Sequence, residues 1–111
     1  MTQEEIEGNT MIAEFMEWRM ANDGYNDTMF NGTDKYCMID NLKYHSSWDW
    51  LMPVVEKIEK IKGVHIFIKG NRCEILNYGF EMDSPSSVYK IESVWLAVVE
   101  FIKWYNQNKP A

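Results

Sequence analysis

Two cysteines and two histidines are the side chains of this 111-residue chain best suited to hold a metal ion. The interval from Cys37 to His45 equals the interval from His65 to Cys73, and both residue types are usual zinc ligands. The spacing matches no common zinc module, however. The strand pattern discussed below also places His65 and Cys73 on opposite faces of a hairpin, where they cannot share an ion. We therefore expect no metal site and no cofactor.

Nucleophilic catalysis by a cysteine is also disfavoured. Cys73 falls in the middle of an apolar strand face, where a thiolate is costly, and Cys37 lies in an apolar segment without a nearby base. The six glycines are scattered, so no phosphate-binding glycine loop is formed. We expect no catalytic residue, and we expect that the protein is not an enzyme.

One acid–base arrangement stays open at the turn before the central helix. His45 and Asp49 could reach the same cleft there, with Trp48 beside them. Helix capping explains Asp49 equally well, and an exposed turn explains His45. A small-molecule-binding or hydrolytic cleft at His45, Trp48 and Asp49 is therefore the alternative hypothesis of function.

The central helix that would position these groups is the most strongly patterned segment, Tyr44 to Lys62. Its apolar residues recur at helical spacing over one broad arc that includes Trp48, and its charged residues occupy the opposite arc. Pro53 cannot donate a hydrogen bond to the carbonyl of Asp49, so we expect Asp49, rather than Ser46, to cap the helix. Trp48 is then expected to be buried at the head of the helix.

The N-terminal part predicts a helix, a loop and a strand. Asn9 is expected to cap a helix that ends by Asn22, and the acidic residues before Asn9 are expected to fray. Residues 23–34 are rich in turn formers and predict a long loop. A short strand is predicted at Tyr36 to Ile39.

The C-terminal part predicts a β-hairpin and a final helix. Gly70 and Asn71 suit a two-residue turn between the strands of residues 64–78. One face of this hairpin is apolar and consists of Val64, Ile66, Ile68, Cys73 and Ile75. Residues 79–87 predict a polar connection to a last amphipathic helix. Together these elements predict one globular α+β domain over residues 1–111, with about three helices packed on a small antiparallel sheet.

Charge and composition exclude two classes of partner. The chain has 11 Lys and Arg against 17 Asp and Glu, a net charge of -6, and it lacks the basic face that phosphate-backbone binding needs. Its longest apolar run is too short to span a bilayer. No charged-then-apolar leader opens the chain, and two cysteines cannot make a disulfide framework. We therefore expect no nucleic-acid or membrane partner and a location in a reducing cytoplasm.

Three blocks of the chain resemble a known group of proteins. They are NTMIAEFM near the start, the stretch from Leu42 to Glu59, and VVEFIKWYN near the end. They resemble a family of small uncharacterised proteins found in bacteriophages and gut-type bacterial genomes. The resemblance covers about half the chain and departs between Arg19 and Asn41. It implies an accessory protein of phage or prophage origin, and it assigns no activity.

Several aromatic and apolar residues fall outside the predicted core. Trp104 lies on the polar side of the last helix, others lie on the outer hairpin face, and two more lie in the long loop. Trp and Tyr are enriched where proteins bind proteins. The predicted partner-binding residues are Tyr25, Phe30, Phe67, Leu76, Tyr78 and Trp104. We therefore expect a non-enzymatic protein that binds a host or phage protein, for example as an inhibitor of a host defence system. Homodimerisation stays open.

Overall fold

The computed structural model describes residues 2–20, 28–30, 36–77, 80–83 and 89–108. This part of the chain forms three α-helices and two antiparallel sheets, which confirms the predicted α+β class. The helices are α1 (Gln3–Phe15), α2 (Trp48–Glu59) and α3 (Lys90–Asn108). The first sheet contains β1 (Arg19–Met20), β2 (Thr28–Phe30) and β3 (Tyr36–Met38), and the second contains β4 (His65–Lys69), β5 (Arg72–Asn77) and β6 (Phe80–Asp83).

Helix α1 begins earlier than the sequence predicts. The Thr2 hydroxyl accepts a hydrogen bond from the Glu5 backbone N–H (3.1 Å), and the Glu5 carboxylate accepts one from the Thr2 backbone N–H (2.9 Å). This capping box satisfies two N–H groups that have no helical partner. The predicted Asn9 cap and frayed start are therefore wrong. Asn9 lies inside the helix and is fully buried.

Helix α1 also ends earlier than the predicted Asn22, which lies outside the described residues. Its last residue is Phe15, and Glu17 adopts a left-handed conformation with φ 73°. The Trp18 N–H donates to the Ala13 carbonyl at 2.9 Å, which closes the helix end. Lys57 of α2 donates to the Phe15 carbonyl and lies over the Phe15 ring, so α1 ends against α2.

Helix α2 starts at Trp48, and Ser47 is its N-cap residue. The Ser47 carbonyl accepts hydrogen bonds from the backbone of Trp50 and Leu51. The predicted Asp49 cap is therefore wrong, since Asp49 lies inside the helix. The helix tolerates Pro53 because this residue removes a single hydrogen bond, the one to the carbonyl of the exposed Asp49 in the first turn.

The buried stripe of α2 is narrower than the predicted arc. It consists of Leu51, Val54, Val55 and Ile58. Trp48 continues this stripe by one turn but lies beyond the core with 37% of its surface exposed, so the predicted burial of Trp48 is wrong. Its neighbour Trp50 packs edge-on against Tyr44, with ring centroids 5.2 Å apart.

The first sheet has the order β1-β2-β3. The predicted loop at 23–34 therefore contains strand β2, which is a correction to the sequence interpretation. Met29 pairs with Cys37 and is fully buried, so one apolar side chain anchors a strand within a segment of turn formers. The predicted strand at Tyr36 is confirmed, and Phe30 stacks on Tyr36 with centroids 4.6 Å apart.

The second sheet contains the predicted hairpin. Lys69 pairs with Arg72 across a turn in which Gly70 has φ 55°, and Ile68 pairs with Cys73. This is the register that the alternation of apolar residues predicts. The connection predicted at 79–87 is wrong in part, because Phe80–Asp83 forms β6 and pairs with β5. A strand of four residues with two carboxylates carries too weak an apolar signal to be distinguished from a polar connection.

Helix α3 contributes more buried residues than any other element, and it packs on α1 and on the second sheet. Its buried residues are Ser93, Val94, Trp95, Ala97, Val98, Val99, Phe101 and Ile102. Ser93 is a buried polar residue, and its hydroxyl donates to the Asn71 carbonyl, which satisfies it in the core. Within the described ranges, no helix combines the length and hydropathy needed to cross a bilayer.

Candidate functional site

A groove of about 470 Å³ lies between the first turns of α1 and the start of α3, and we call it the α1–α3 groove. Three carboxylates line it, and they belong to Glu4, Glu5 and Glu92. Its apolar side is formed by Ile91, Trp95 and Leu96. The groove thus combines negative charge with an apolar surface.

The charge of this groove has one sign. Among the described residues, no lysine or arginine lines it, and His45 is its single basic side chain. Tyr89 stands at its edge with 66% of its surface exposed. An exposed aromatic ring next to carboxylates suits a partner that has both apolar and cationic groups.

A chain of hydrogen bonds holds the floor of the groove. The Trp95 indole N–H donates to the Asn9 side-chain oxygen at 2.8 Å, and the Asn9 amide nitrogen donates to the Leu42 carbonyl at 3.2 Å. These two partners fix the orientation of the Asn9 amide, because an indole N–H can only donate and a carbonyl can only accept. Asn9 therefore ties α1 to α3 and to the segment before α2.

The second N–H of the same amide faces His45. Asn9 Nδ2 and His45 Nδ1 are 2.8 Å apart, so Nδ1 must be the acceptor. The proton of the neutral ring is then on Nε2, which lies 3.9 Å from the Glu5 carboxylate. His45 thus connects a buried hydrogen-bond network to a carboxylate in the α1–α3 groove.

The ionised form of Glu5 is stabilised by its neighbours Thr2 and His45. The hydrogen bond from the Thr2 backbone lowers the pKa of Glu5, partial burial opposes this, and the Thr2 hydroxyl and His45 lower the pKa further. Glu5 is therefore ionised at neutral pH.

A second groove, of about 700 Å³, lies between α2 and the first sheet. Its aromatic lining is Trp18, Tyr36, Tyr44 and Trp50, and Asp49 lies at its edge. Burial raises the pKa of Tyr44 to about 12, so this phenol stays protonated.

The two grooves separate the residues of the predicted His45, Trp48 and Asp49 cleft. His45 lines the α1–α3 groove, Asp49 lines the second groove, and Trp48 is an exposed residue of the first turn of α2. The predicted shared cleft is therefore wrong. The residues are separated because the His45 side chain points toward Asn9 and α1, whereas Asp49 lies on the side of α2 that faces the first sheet.

Cys37 lines the second groove, whereas Cys73 is buried in the second sheet. Burial, with the charge of Asp40, raises the pKa of Cys37, whose thiol donates to the Met38 carbonyl. Cys73 is 1% exposed, and its pairing with Ile68 places it on the face of the hairpin opposite to His65. In the described part of the chain, no group of three His, Cys, Asp or Glu side chains is placed to hold a metal ion.

The predicted partner-binding residues are distributed over several elements. Phe67 is 44% exposed on the outer face of the second sheet, where Leu76 is half-buried. Trp104 is half-buried and its ring lies 6.0 Å from that of Phe101, and Phe30 is half-buried against Tyr36. Tyr25 and Tyr78 lie outside the described residues.

Sequence reasoning missed the α1–α3 groove because it treated Asn9 as a helix cap. A signal was present in the helical spacing. Asn9, Ile12, Ala13 and Met16 recur at intervals of an α-helical face, which places a polar amide on an apolar stripe. A buried amide on such a stripe requires hydrogen-bond partners from other elements.

Comparisons with protein-family models, with curated proteins and with solved structures gave no match. The function must therefore be inferred from the surface of the molecule itself.

Proposed function

We propose that this protein is non-enzymatic and binds a basic segment of a partner protein in the α1–α3 groove. The observation that carries this proposal is the lining of the groove, where Glu4, Glu5 and Glu92 lie beside Ile91, Trp95 and Leu96. A lysine or arginine side chain has an apolar stem and a cationic head, and both parts find complementary surface here.

Long-range charge favours the same partner. The net charge of -6 attracts a cationic segment before contact and raises its association rate. At the edge of the groove, the exposed ring of Tyr89 offers a face on which a guanidinium group or an apolar side chain can pack. The neighbouring Trp95 is held rigidly by Asn9, so little side-chain entropy is lost on binding.

The resemblance to phage and prophage accessory proteins supports a host or phage protein as the partner. We propose that the protein acts in the bacterial cytoplasm and inhibits a host defence system by covering a basic surface of one of its components. A second copy of the chain also carries basic side chains, and self-association is therefore one outcome that the binding experiment must separate.

A model peptide in which arginine and leucine alternate provides the test. Its fluorescent form is titrated with the protein at pH 7.5 in low and high salt, and a peptide with glutamate in place of arginine is the control. We expect binding of the basic peptide alone, with affinity that falls as salt rises. Equal affinity for both peptides, or no binding of either, would refute the proposal. Light scattering of the free protein identifies self-association.

Variants of the groove carboxylates, compared with a control outside the groove, test whether the peptide binds in the groove. Glu4→Gln combined with Glu92→Gln removes two exposed charges and should weaken binding about thirtyfold, since each contributes on the order of 1 kcal/mol at close range in water. Glu59→Gln is the control, because Glu59 is exposed on α2 outside the groove. Glu5 is left unchanged, since it belongs to the capping box of α1. Equal weakening by the control variant would show that only overall charge matters.

A further inference from the structure

Within the described part of the chain, His45 and Trp95 belong both to the buried hydrogen-bond network and to the lining of the α1–α3 groove, and of these two His45 is the ionisable one. Its Nδ1 faces the buried amide of Asn9, and its Nε2 faces the Glu5 carboxylate. Histidine is also the side chain whose ordinary titration falls between about pH 5 and 8. A change of its charge therefore acts on the network and on the groove at once.

The network has no acceptor for a second ring proton. In a protonated ring, Nδ1 becomes a donor and meets the Asn9 amide, which is a donor at that position. If the amide turned over to offer its oxygen, its NH₂ group would face the Trp95 indole N–H, and its oxygen would face the Leu42 carbonyl. Protonation therefore breaks the contact between His45 and Asn9.

Among the described residues, the carboxylates that line the groove attract the protonated ring. The Glu5 carboxylate lies 3.9 Å from Nε2 of His45, and Glu4 on α1 and Glu92 on α3 line the same groove, as does Tyr89. In its own segment, Lys43 is exposed. An imidazolium that leaves Asn9 thus moves toward the Glu5 carboxylate.

We propose that protonation of His45 weakens the binding of a basic segment, so that the α1–α3 groove releases its partner in mild acid. This inference rests on the proposed function. Two effects of protonation both weaken the binding. The imidazolium adds a positive charge where the partner's cation binds, and it pairs with the Glu5 carboxylate, which is then less available to the partner. Binding is therefore strong while His45 is neutral, and it weakens when His45 is protonated.

The free protein provides the first test, which is independent of any partner. Proton–nitrogen NMR spectra of the uniformly labelled protein are recorded from pH 8 to pH 5. The side-chain NH₂ signals of Asn9 and the indole N–H signal of Trp95 should shift with the same midpoint as the ring of His45. Signals of Asn9 and Trp95 that stay constant while His45 titrates would overturn the coupling.

The second test uses the arginine–leucine peptide at pH 7.5 and pH 5.5. We expect the dissociation constant to rise at least about fivefold, the factor for one added like charge at about 4 Å in water. The backbone hydrogen bond from Thr2 lowers the pKa of Glu5, so this carboxylate keeps its charge over this range. In His45→Gln the dissociation constants at the two pH values should agree within about twofold.

His65→Gln is the matched control, because His65 is exposed on β4 in the second sheet. It should keep the pH dependence of the unchanged protein. A pH dependence that persists in His45→Gln would overturn the switch. The two proposals fail separately, since absence of peptide binding at pH 7.5 refutes the proposed function, whereas pH-independent binding refutes only the role of His45.

Discussion

The close contact of Gly8 with α3 leads to a prediction opposite to the usual effect of glycine in a helix. Gly8 lies inside α1, where glycine-to-alanine exchange ordinarily stabilises by about 1 kcal/mol. Here the added methyl would overlap Cζ2 of Trp95, with Cη2 of the same ring at 2.7 Å and Cγ2 of Val99 at 3.1 Å. The indole cannot move freely, because it is 4% exposed and donates to Asn9.

The expected magnitude follows from these two opposing effects. Overpacking of a core costs about 1–3 kcal/mol and occasionally more, and a rigid ring in direct overlap belongs to the upper part of that range. After subtraction of the helix propensity, Gly8→Ala should lower the free energy of unfolding by about 1–2 kcal/mol. The midpoint of thermal unfolding should fall by roughly 5–10 °C in a chain of this size.

Urea unfolding followed by far-ultraviolet circular dichroism measures this change. Glu14→Ala, at an exposed position of α1, is the control and should alter stability by less than about 0.5 kcal/mol. In a background of Trp95→Leu, the six-membered ring is absent and the cost of Gly8→Ala should shrink or change sign. If Gly8→Ala stabilises the otherwise unchanged protein, α1 and α3 do not pack as the structure has them.

Three further predictions concern single side chains. Asn9→Leu should destabilise by about 1–3 kcal/mol in urea unfolding, because the Trp95 indole N–H is left buried without its acceptor. An unchanged midpoint of urea unfolding would mean that a water molecule replaces Asn9 as the acceptor of that N–H. Trp50→Ala should cost about 2–3 kcal/mol, whereas Trp48→Ala should cost less than about 1 kcal/mol, since one ring packs on the body and the other is exposed. The reverse order would mean that α2 is rotated about its axis. Alkylation of Cys37 by iodoacetamide should be slower than that of free cysteine at pH 8 and should still accelerate above pH 9, because its pKa is raised. A rate that is already constant by pH 8 would contradict this environment.

The α+β class and the hairpin could be predicted from the sequence because their signals are local. Alternation of apolar residues and the glycine-first turn set the pairing of Ile68 with Cys73 without reference to the rest of the chain. The α2 stripe is equally local, since Leu51, Val54 and Ile58 recur at helical spacing. Strand β2 had no comparable pattern. Its assignment depends on pairing with its neighbours and on the burial of Met29.

Only the tertiary structure decided the candidate site. Asn9 has the residue type of a helix cap. Its spacing from Ile12 and Ala13 places it on an apolar stripe, but its sequence neighbours do not reveal which groups it binds. Its role depends on Leu42, 33 residues away, and on Trp95, 86 residues away. Local sequence determines backbone conformation and which face of an element is apolar, because these depend on neighbouring residues. The partners of a buried amide are determined by how separate elements pack, and in this protein that packing brings the acidic residues of α1 and α3 to one groove.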